Sequence, residues 1–358
     1  MRLVGKLYIY TTENKELWNE IVVSFTNWDI YYLCEYAEAL QLHGDGEPLL
    51  VYYINGDFRL CYVVMQEDIG KNTFFIKALE GEKWFDWETP YGYGGYLTEG
   101  DVSDSISKDF GILLDSYCRE NHVVSEFVRF HPFLKNNTVY RKEEKCKIET
   151  FKDVIFMDTS DRELIFKNLD SKNRNMIRKA VKNDVHIIAD EGENYKEFLR
   201  VYNKTMNFQK AEEYYYFQRE YFEFLINKLK GHIKFFYALY EGKVISSSIF
   251  IYNNKYMHYF LSGTDRDYKQ LGSANLLLYQ AACFACEKGI EKLLLGGGVE
   301  AEDSLFGFKK QFNREGRIPF YIGRTIFNQK MYDQLIVIRS EIDESFDTNN
   351  GRLIAYKA

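Results

Sequence analysis

The chain has 358 residues, a formal charge of −7 and six cysteines, with 46% hydrophobic and 28% charged residues. One hydrophobic core rarely serves such a length, so two domains are expected. The composition excludes a disordered chain, a proline-rich linker and a collagen-like repeat, and the acidic balance (pI ≈ 5.6) argues against a protein that coats nucleic acid.

No stretch approaches the ~18 apolar residues of a membrane-spanning helix. Met1–Lys6 opens without the apolar run of a secretion signal, so a cytoplasmic chain is expected, with contact at the inner membrane face left open. Cys34, Cys61, Cys118 and Cys146 stand apart from one another, unlike a disulfide framework. Cys283 and Cys286 lie in an apolar helical run and read as two small core residues one turn apart. No metal site is expected.

In chain order, helices are predicted at Asn14–Val23 and Trp28–Leu40, then a hairpin of Leu49–Ile54 and Phe58–Met65 about the turn Asn55-Gly56-Asp57. The glycine–aromatic loop Pro90–Tyr96 precedes a helix at Ile106–Glu120 and a strand at Ser125–Phe130. A polar stretch, Arg141–Lys147, leads into the strand Asp153–Met157 and marks a boundary near 141–155. Helices at Tyr195–Met206 and Gln218–Leu229 then precede a meander of Lys234–Tyr240, Val244–Tyr252 and Lys255–Ser262. Helix Ser273–Lys288, strand Ile290–Leu295 and an outer helix Asp333–Phe346 complete the series. Hairpin, helix and strand thus recur in the same order in both halves, the pattern of an α/β module used twice.

Between Asp170 and Asp184 lie five cations and no anion. On a helix, Met176, Ile177, Ala180 and Val181 share one face, while Arg174, Arg178 and Lys182 line the other with Lys172 and Lys179. Two readings stay open: a solvated face, or a site for a phosphorylated substrate, an RNA end or an anionic head group.

The loop Lys269-Gln270-Leu271-Gly272-Ser273-Ala274 opens a long helix. Gly272 permits close backbone approach, and the first N–H groups of that helix suit a phosphate or pyrophosphate. The loop resembles the [Q/R]-x-x-G-x-[G/A] loop of GNAT-type N-acyltransferases, with Lys269 in place of Gln or Arg. Further on, Gly296-Gly297-Gly298, an acidic link and Phe306-Gly307-Phe308-Lys309-Lys310-Gln311-Phe312 resemble the Fem family of peptidoglycan-bridge aminoacyltransferases and related single-chain acyltransferases of envelope-sugar pathways. Segments Ser171–Ala180, Pro90–Gly95 and Glu126–Pro132 agree, while Leu295-Gly296 replaces that family's acidic strand end.

The resemblance implies an α/β fold of two tandem GNAT-type acyltransferase domains, each a mixed central sheet flanked by helices. They are placed at 1–148 and 149–332, with a helix and tail at 333–358. It implies acyl transfer to an amino group of a cell-envelope or polysaccharide precursor, with acyl-CoA preferred as donor and no permanently bound cofactor. Alternatives are aminoacyl-tRNA-dependent transfer to a lipid-linked peptidoglycan precursor, and a non-catalytic module that binds an anionic partner through residues 172–182. DNA is not an expected partner.

By its match to the family's lysine, Lys309 is expected to stabilise the oxyanion or a donor phosphate, with Phe308 walling the pocket or packing the core. Residues 269–274 are expected to hold the donor. Arg174, Arg178, Lys182, Tyr91 and Tyr93 are candidates for contact with substrate. For Tyr91 and Tyr93, packing of the loop by its own tyrosines is the competing reading.

Overall fold

The computed structural model describes residues 5–138, 146–348 and 354–357. The predicted boundary residues 141–145 lie outside them. The chain divides into two compact units, one of Met1–Phe151 with Phe320–Ala358 and one of Lys152–Pro319.

The first unit contains β1 (Lys6–Tyr10), α1 (Lys15–Val23), α2 (Cys34–His43), β2 (Glu47–Asn55), β3 (Phe58–Asp68), β4 (Phe85–Glu88), β5 (Leu97–Glu99), α3 (Asp104–Glu120) and β6 (Val123–Arg129). The chain leaves this unit within β7 (Lys147–Asp158). The second unit holds α4 (Arg162–Asn168), α5 (Ser171–Lys182), β8 (His186–Asp190), α6 (Tyr195–Gln209), α7 (Arg219–Lys228) and the meander β9 (Ile233–Tyr240), β10 (Lys243–Tyr252) and β11 (Tyr256–Thr264). A 3-10 turn at Arg266–Leu271, α8 (Ser273–Glu287), β12 (Lys292–Gly296) and α9 (Ser304–Lys310) follow. The chain returns to the first unit within β13 (Arg317–Ile326) and ends on α10 (Gln329–Ile342) and a short turn at Ala355–Lys357.

The two units repeat one strand plan. The first runs β1-β2-β3-β4-β6-β13, with β5 on β3, and the second runs β8-β9-β10-β11-β12-β7. Each has one parallel pair, β4–β6 and β11–β12, crossed by α3 and α8 respectively. The last position in each sheet is filled by β13 in the first unit and by β7 in the second, and β13 comes from a stretch of chain remote from the rest of its unit. The hairpins close as their turn residues dictate. In β9–β10, Tyr240 pairs Lys243, and the two residues between, Glu241 and Gly242, both have positive φ (49° and 74°), as a primed turn requires.

Each unit has its own core. In the first, Val51, Tyr53, Trp87, Phe110 and Val128 are buried together; in the second, Ile155, Leu277, Phe250 and Phe306 are. Cys283 and Cys286 lie on α8 as free thiols, Cys283 buried and its thiol pushed up by burial. At the C-terminus, Tyr356 is buried and Lys357 pairs Glu67 at 2.6 Å, Glu88 at 3.2 Å and Asp86 at 3.5 Å, all within the first unit. Burial lifts the Asp86 carboxyl, whereas Glu88, though also desolvated, is held below its usual range by Lys357 and Arg129.

Candidate active site

The site of the second unit is built on the turn Gly296-Gly297-Gly298. Asp303 caps α9, accepting the N–H of Phe306 at 2.7 Å, and folds the acidic link by accepting Val299 N–H at 2.7 Å and Glu300 N–H at 3.1 Å. A side chain at Gly298 would strike that carboxylate, 2.1 Å from an added Cβ. Burial favours the neutral acid, but these N–H groups prevail and hold the carboxyl below its usual range.

The cap aims the last turn of α9 so that Lys309, only 8% exposed, donates from Nζ to Gly297 O at 2.7 Å. Lys152 donates from Nζ to Gly298 O at 2.6 Å, so two ammonium groups share one glycine turn. Burial first, and then the Lys152 charge, push the Lys309 ammonium down to about 7. Its Nζ also lies 5.8 Å from the Tyr259 ring centroid. Phe308 is half-buried and packs edge-on against Phe312 at 5.2 Å, on the core of the unit.

The loop at residues 269–274 has Lys269 and Gln270 exposed and Leu271 and Ser273 buried, with Ala274 between these extremes. Gly272 adopts φ +73°, and an added Cβ would lie 2.6 Å from Met176 O on α5, so both conformation and space require glycine here. No side chain caps α8 at Gly272. The first N–H groups of an uncapped helix need an acceptor, and an anion supplies one.

Asn173 locks this loop, the basic helix and α9 into one frame. It is fully buried, accepts from Asn275 Nδ2 at 2.9 Å and donates from Nδ2 to Gln311 O at 3.2 Å. From the loop, a line of hydroxyls runs along the sheet. Ser273 Oγ meets Ser246 Oγ at 2.7 Å, Ser246 pairs Thr264 across the strands, and Ser248 pairs Ser262. Beside this line burial raises the Tyr259 hydroxyl, with Ser262 and Ser248 pulling the other way. Ser246 and Ser248 are about 7 Å apart at the rise of a strand. The β11–β12 ladder is confined to Tyr256–His258 and Lys292–Leu294, although β11 continues to Thr264, so the two parallel strands part beside this line.

On α5 the buried residues are Asn173, Ile177 and Ala180, while Val181 is 58% exposed. The core face is therefore rotated from the expected one, because a polar residue, Asn173, takes a core position by hydrogen bonding. Arg178, Lys182, Lys172 and Lys179 are exposed; Arg174 is turned aside to donate to Leu169 O at 2.6 Å, closing the end of α4. Tyr91 and Tyr93 belong to the first unit. Tyr91 O accepts from the Tyr36 hydroxyl, and the half-buried Tyr93 ring packs edge-on against Tyr31, His131 and Phe320. Gly92 is wedged against the Tyr31 ring, Tyr32 OH donates to Gly95 O at 3.0 Å, and His131 Nε2 lies 2.6 Å from Asp29 Oδ2, which together fix the loop.

The structure thus joins Lys309, Phe308, residues 269–274 and the basic helix in one unit. Sequence reasoning missed Lys152, Asn173, Asn275 and the hydroxyl line. The run Ser246-Ser247-Ser248 in an otherwise apolar strand was the visible signal for the last of these.

The parallel pair β11–β12 thus parts beside the uncapped glycine–helix junction at Gly272. The family model of the acetyltransferase (GNAT) domain matches residues 168–310, the stretch that holds these parts, and the chain is an acyltransferase by class. No curated protein sequence matches it. Among solved structures it is similar to FemX, at 12% identity and a TM-score of 0.64, covering 92% of this chain and 99% of that one. It is also similar to a tandem GNAT protein from the clavulanic acid biosynthesis pathway (7%, TM-score 0.53, 91% and 99% covered). A third is the C-terminal domain of a protein named as a lysylphosphatidylglycerol synthetase from Agrobacterium fabrum (13%, TM-score 0.54, 92% and 96% covered). At these identities the likeness establishes the fold alone, that of two tandem GNAT-type domains. Among the described residues no helix is long and apolar enough to cross a membrane.

Proposed function

We propose that the protein is an N-acyltransferase that takes an acyl group from acyl-CoA and passes it to an amino group of a cell-envelope or polysaccharide precursor. The observation that carries the donor is the uncapped start of α8 behind Gly272, where backbone N–H groups and the helix dipole receive a pyrophosphate. In this reading the donor's arm extends along the hydroxyl line, where β11 and β12 part, and brings its carbonyl to Lys309.

The neutral acceptor amine attacks that carbonyl, a tetrahedral oxyanion forms, the C–S bond breaks as the amide closes, and the proton shed by the nitrogen ends on the departing thiolate as free thiol. Lys309, protonated, stabilises the oxyanion through Nζ, in a nearly buried site where such a charge acts more strongly than in water. Phe308 excludes water beside it. Envelope acceptors are proposed because the Fem-like fold is shared with FemX and with a domain named for lysylphosphatidylglycerol synthesis.

Aminoacyl-tRNA is the second reading for the donor, and one observation favours it: Lys172, Arg178, Lys179 and Lys182 are all exposed on α5. Thiol release from a panel of acyl-CoA esters, with amino sugars and muropeptides as acceptors, tests the proposal. Acceptor-dependent thiol release is expected. Transfer from charged tRNA with every acyl-CoA inert would overturn the donor assignment.

A further inference from the structure

Two lysines from opposite ends of the second unit's sequence meet on one glycine turn. β7 runs antiparallel to β12 with Ile155 opposite Gly296, which brings Lys152 beside the residues just beyond Gly296. Its Nζ donates to Gly298 O at 2.6 Å and to Val299 O at 3.3 Å. Its stem runs along Gly297, where an added Cβ would lie 3.4 Å from Lys152 Cε. Lys309 reaches the same turn from α9 and donates to Gly297 O at 2.7 Å. Holding two ammonium groups on neighbouring carbonyls costs free energy that a neutral side chain at either position would not, so the pairing requires a reason.

We propose that Lys152 is a positioning residue for Lys309: its ammonium, fixed on the next carbonyl of the turn, keeps Lys309 primed to receive the negative charge of the oxyanion. The catalytic part of this rests on acyl transfer at Lys309; the coupling between the two charges does not. Like charges repel most while the site holds no anion, and they are relieved when negative charge develops beside them. The repulsion therefore favours the transition state over the resting site. Lys152 acts through Lys309 and needs no contact with substrate, because its bonds to Gly298 and Val299 hold its charge at the turn.

The charged surroundings of the turn agree with this role. Burial acts first on the Lys309 ammonium and the Lys152 charge second, together holding it at about 7, while Asp303 at the cap of α9 pulls the other way. That carboxylate is committed to the N–H groups of Val299, Glu300 and Phe306. Tyr259 of β11 stands with its ring centroid 5.8 Å from Lys309 Nζ, and burial raises its hydroxyl, which stays neutral. Asp153 of β7 and Glu302 of the acidic link both pair with Arg317 of β13, Glu302 at 2.8 Å. Glu300 and Lys310 are exposed.

Lysine-selective NMR of the full chain across pH, with Lys309→Met used to assign the Lys309 signal, tests the coupling without any substrate. The wild-type midpoint is expected at about 7. Lys152→Gln keeps an N–H donor for Gly298 O but removes the charge, and should raise that midpoint by about one pH unit, the size expected for unit charges about 7 Å apart at a partly buried site. Lys152→Arg keeps the charge and should leave the midpoint where it is. Thiol release from acetyl-CoA with glucosamine is read alongside. There kcat should fall by about three- to tenfold in Lys152→Gln, up to the equivalent of one pH unit, and return in Lys152→Arg. A midpoint unmoved in Lys152→Gln, or raised equally in Lys152→Arg, would overturn the proposal. A moved midpoint with kcat equal to wild type refutes the role in catalysis. A moved midpoint in a chain inert toward every acyl-CoA upholds the coupling and places the failure in the donor assignment. If Lys152→Gln proves unfolded by circular dichroism, Lys152→Met, which keeps a stem for Gly297, decides by the same midpoint.

Discussion

Replacing Lys309 by Met should make the protein more stable and much less active. Burial pushes this lysine from an ordinary 10.5 down to about 7. At 1.36 kcal/mol per pH unit, that difference caps the penalty of holding the group in the fold at about 5 kcal/mol. The bond from Nζ to Gly297 O is lost in the variant, which returns about 2 kcal/mol and leaves a net gain of about 3 kcal/mol. The sign follows from proton counting. Between about pH 7 and 10.5 the unfolded wild type binds one more proton than the folded form, so wild-type stability rises with pH there. The advantage of Lys309→Met is therefore full below about pH 7 and gone above about 10.5. Activity moves the other way, since losing an oxyanion donor costs about 10²–10³ in kcat. Only the protonated lysine serves the oxyanion, so the ratio of wild-type to variant kcat/KM falls as pH rises through about 7, and Lys309→Arg shifts that fall upward. Urea denaturation at several pH values and thiol-release kinetics read both effects. Undiminished kcat in Lys309→Met, or a variant less stable than wild type at neutral pH, would refute the reasoning.

Three further substitutions probe the frame. Gly272→Val places a branched side chain at φ +73° and against Met176 O; a loss of about 1–3 kcal/mol in denaturant titration and weakened CoA binding are expected. Asn173→Ala leaves Gln311 O and Asn275 without their buried partner and should cost about 1–3 kcal/mol, with a larger fall in kcat/KM than a surface change of equal stability cost. Lys357→Met strips the cation from Glu67, Glu88 and buried Asp86, and thermal denaturation should show a loss of about 3–5 kcal/mol. Because Glu88 is held below its usual range, its share of wild-type stability is present above about pH 4.5 and lost as pH falls further.

Much of this was legible in the sequence, and the failures share a cause. Alternation and turn residues placed the β2–β3 hairpin and the β9–β11 meander, because both depend on local chemistry. Helix α5 was also placed, yet its core face was misread. Periodicity counts Met176 and Val181 as apolar and Asn173 as polar, whereas the fold buries Asn173 through two hydrogen bonds from distant residues. The same limit hid Lys152, which meets Lys309 only through a turn far along the chain. Strands β1, β4, β5, β8 and β13 were not foreseen; β4 has four residues and β5 three, and none stands in a sequence-adjacent hairpin.

The central claim is that the α8 junction receives the pyrophosphate of CoA. Titrating CoA into the wild-type chain and into Gly272→Val by calorimetry measures it most directly. The account predicts one CoA bound per chain, with clearly weaker binding to the variant. No CoA binding to the wild type, with aminoacyl-tRNA bound in its place, would contradict it.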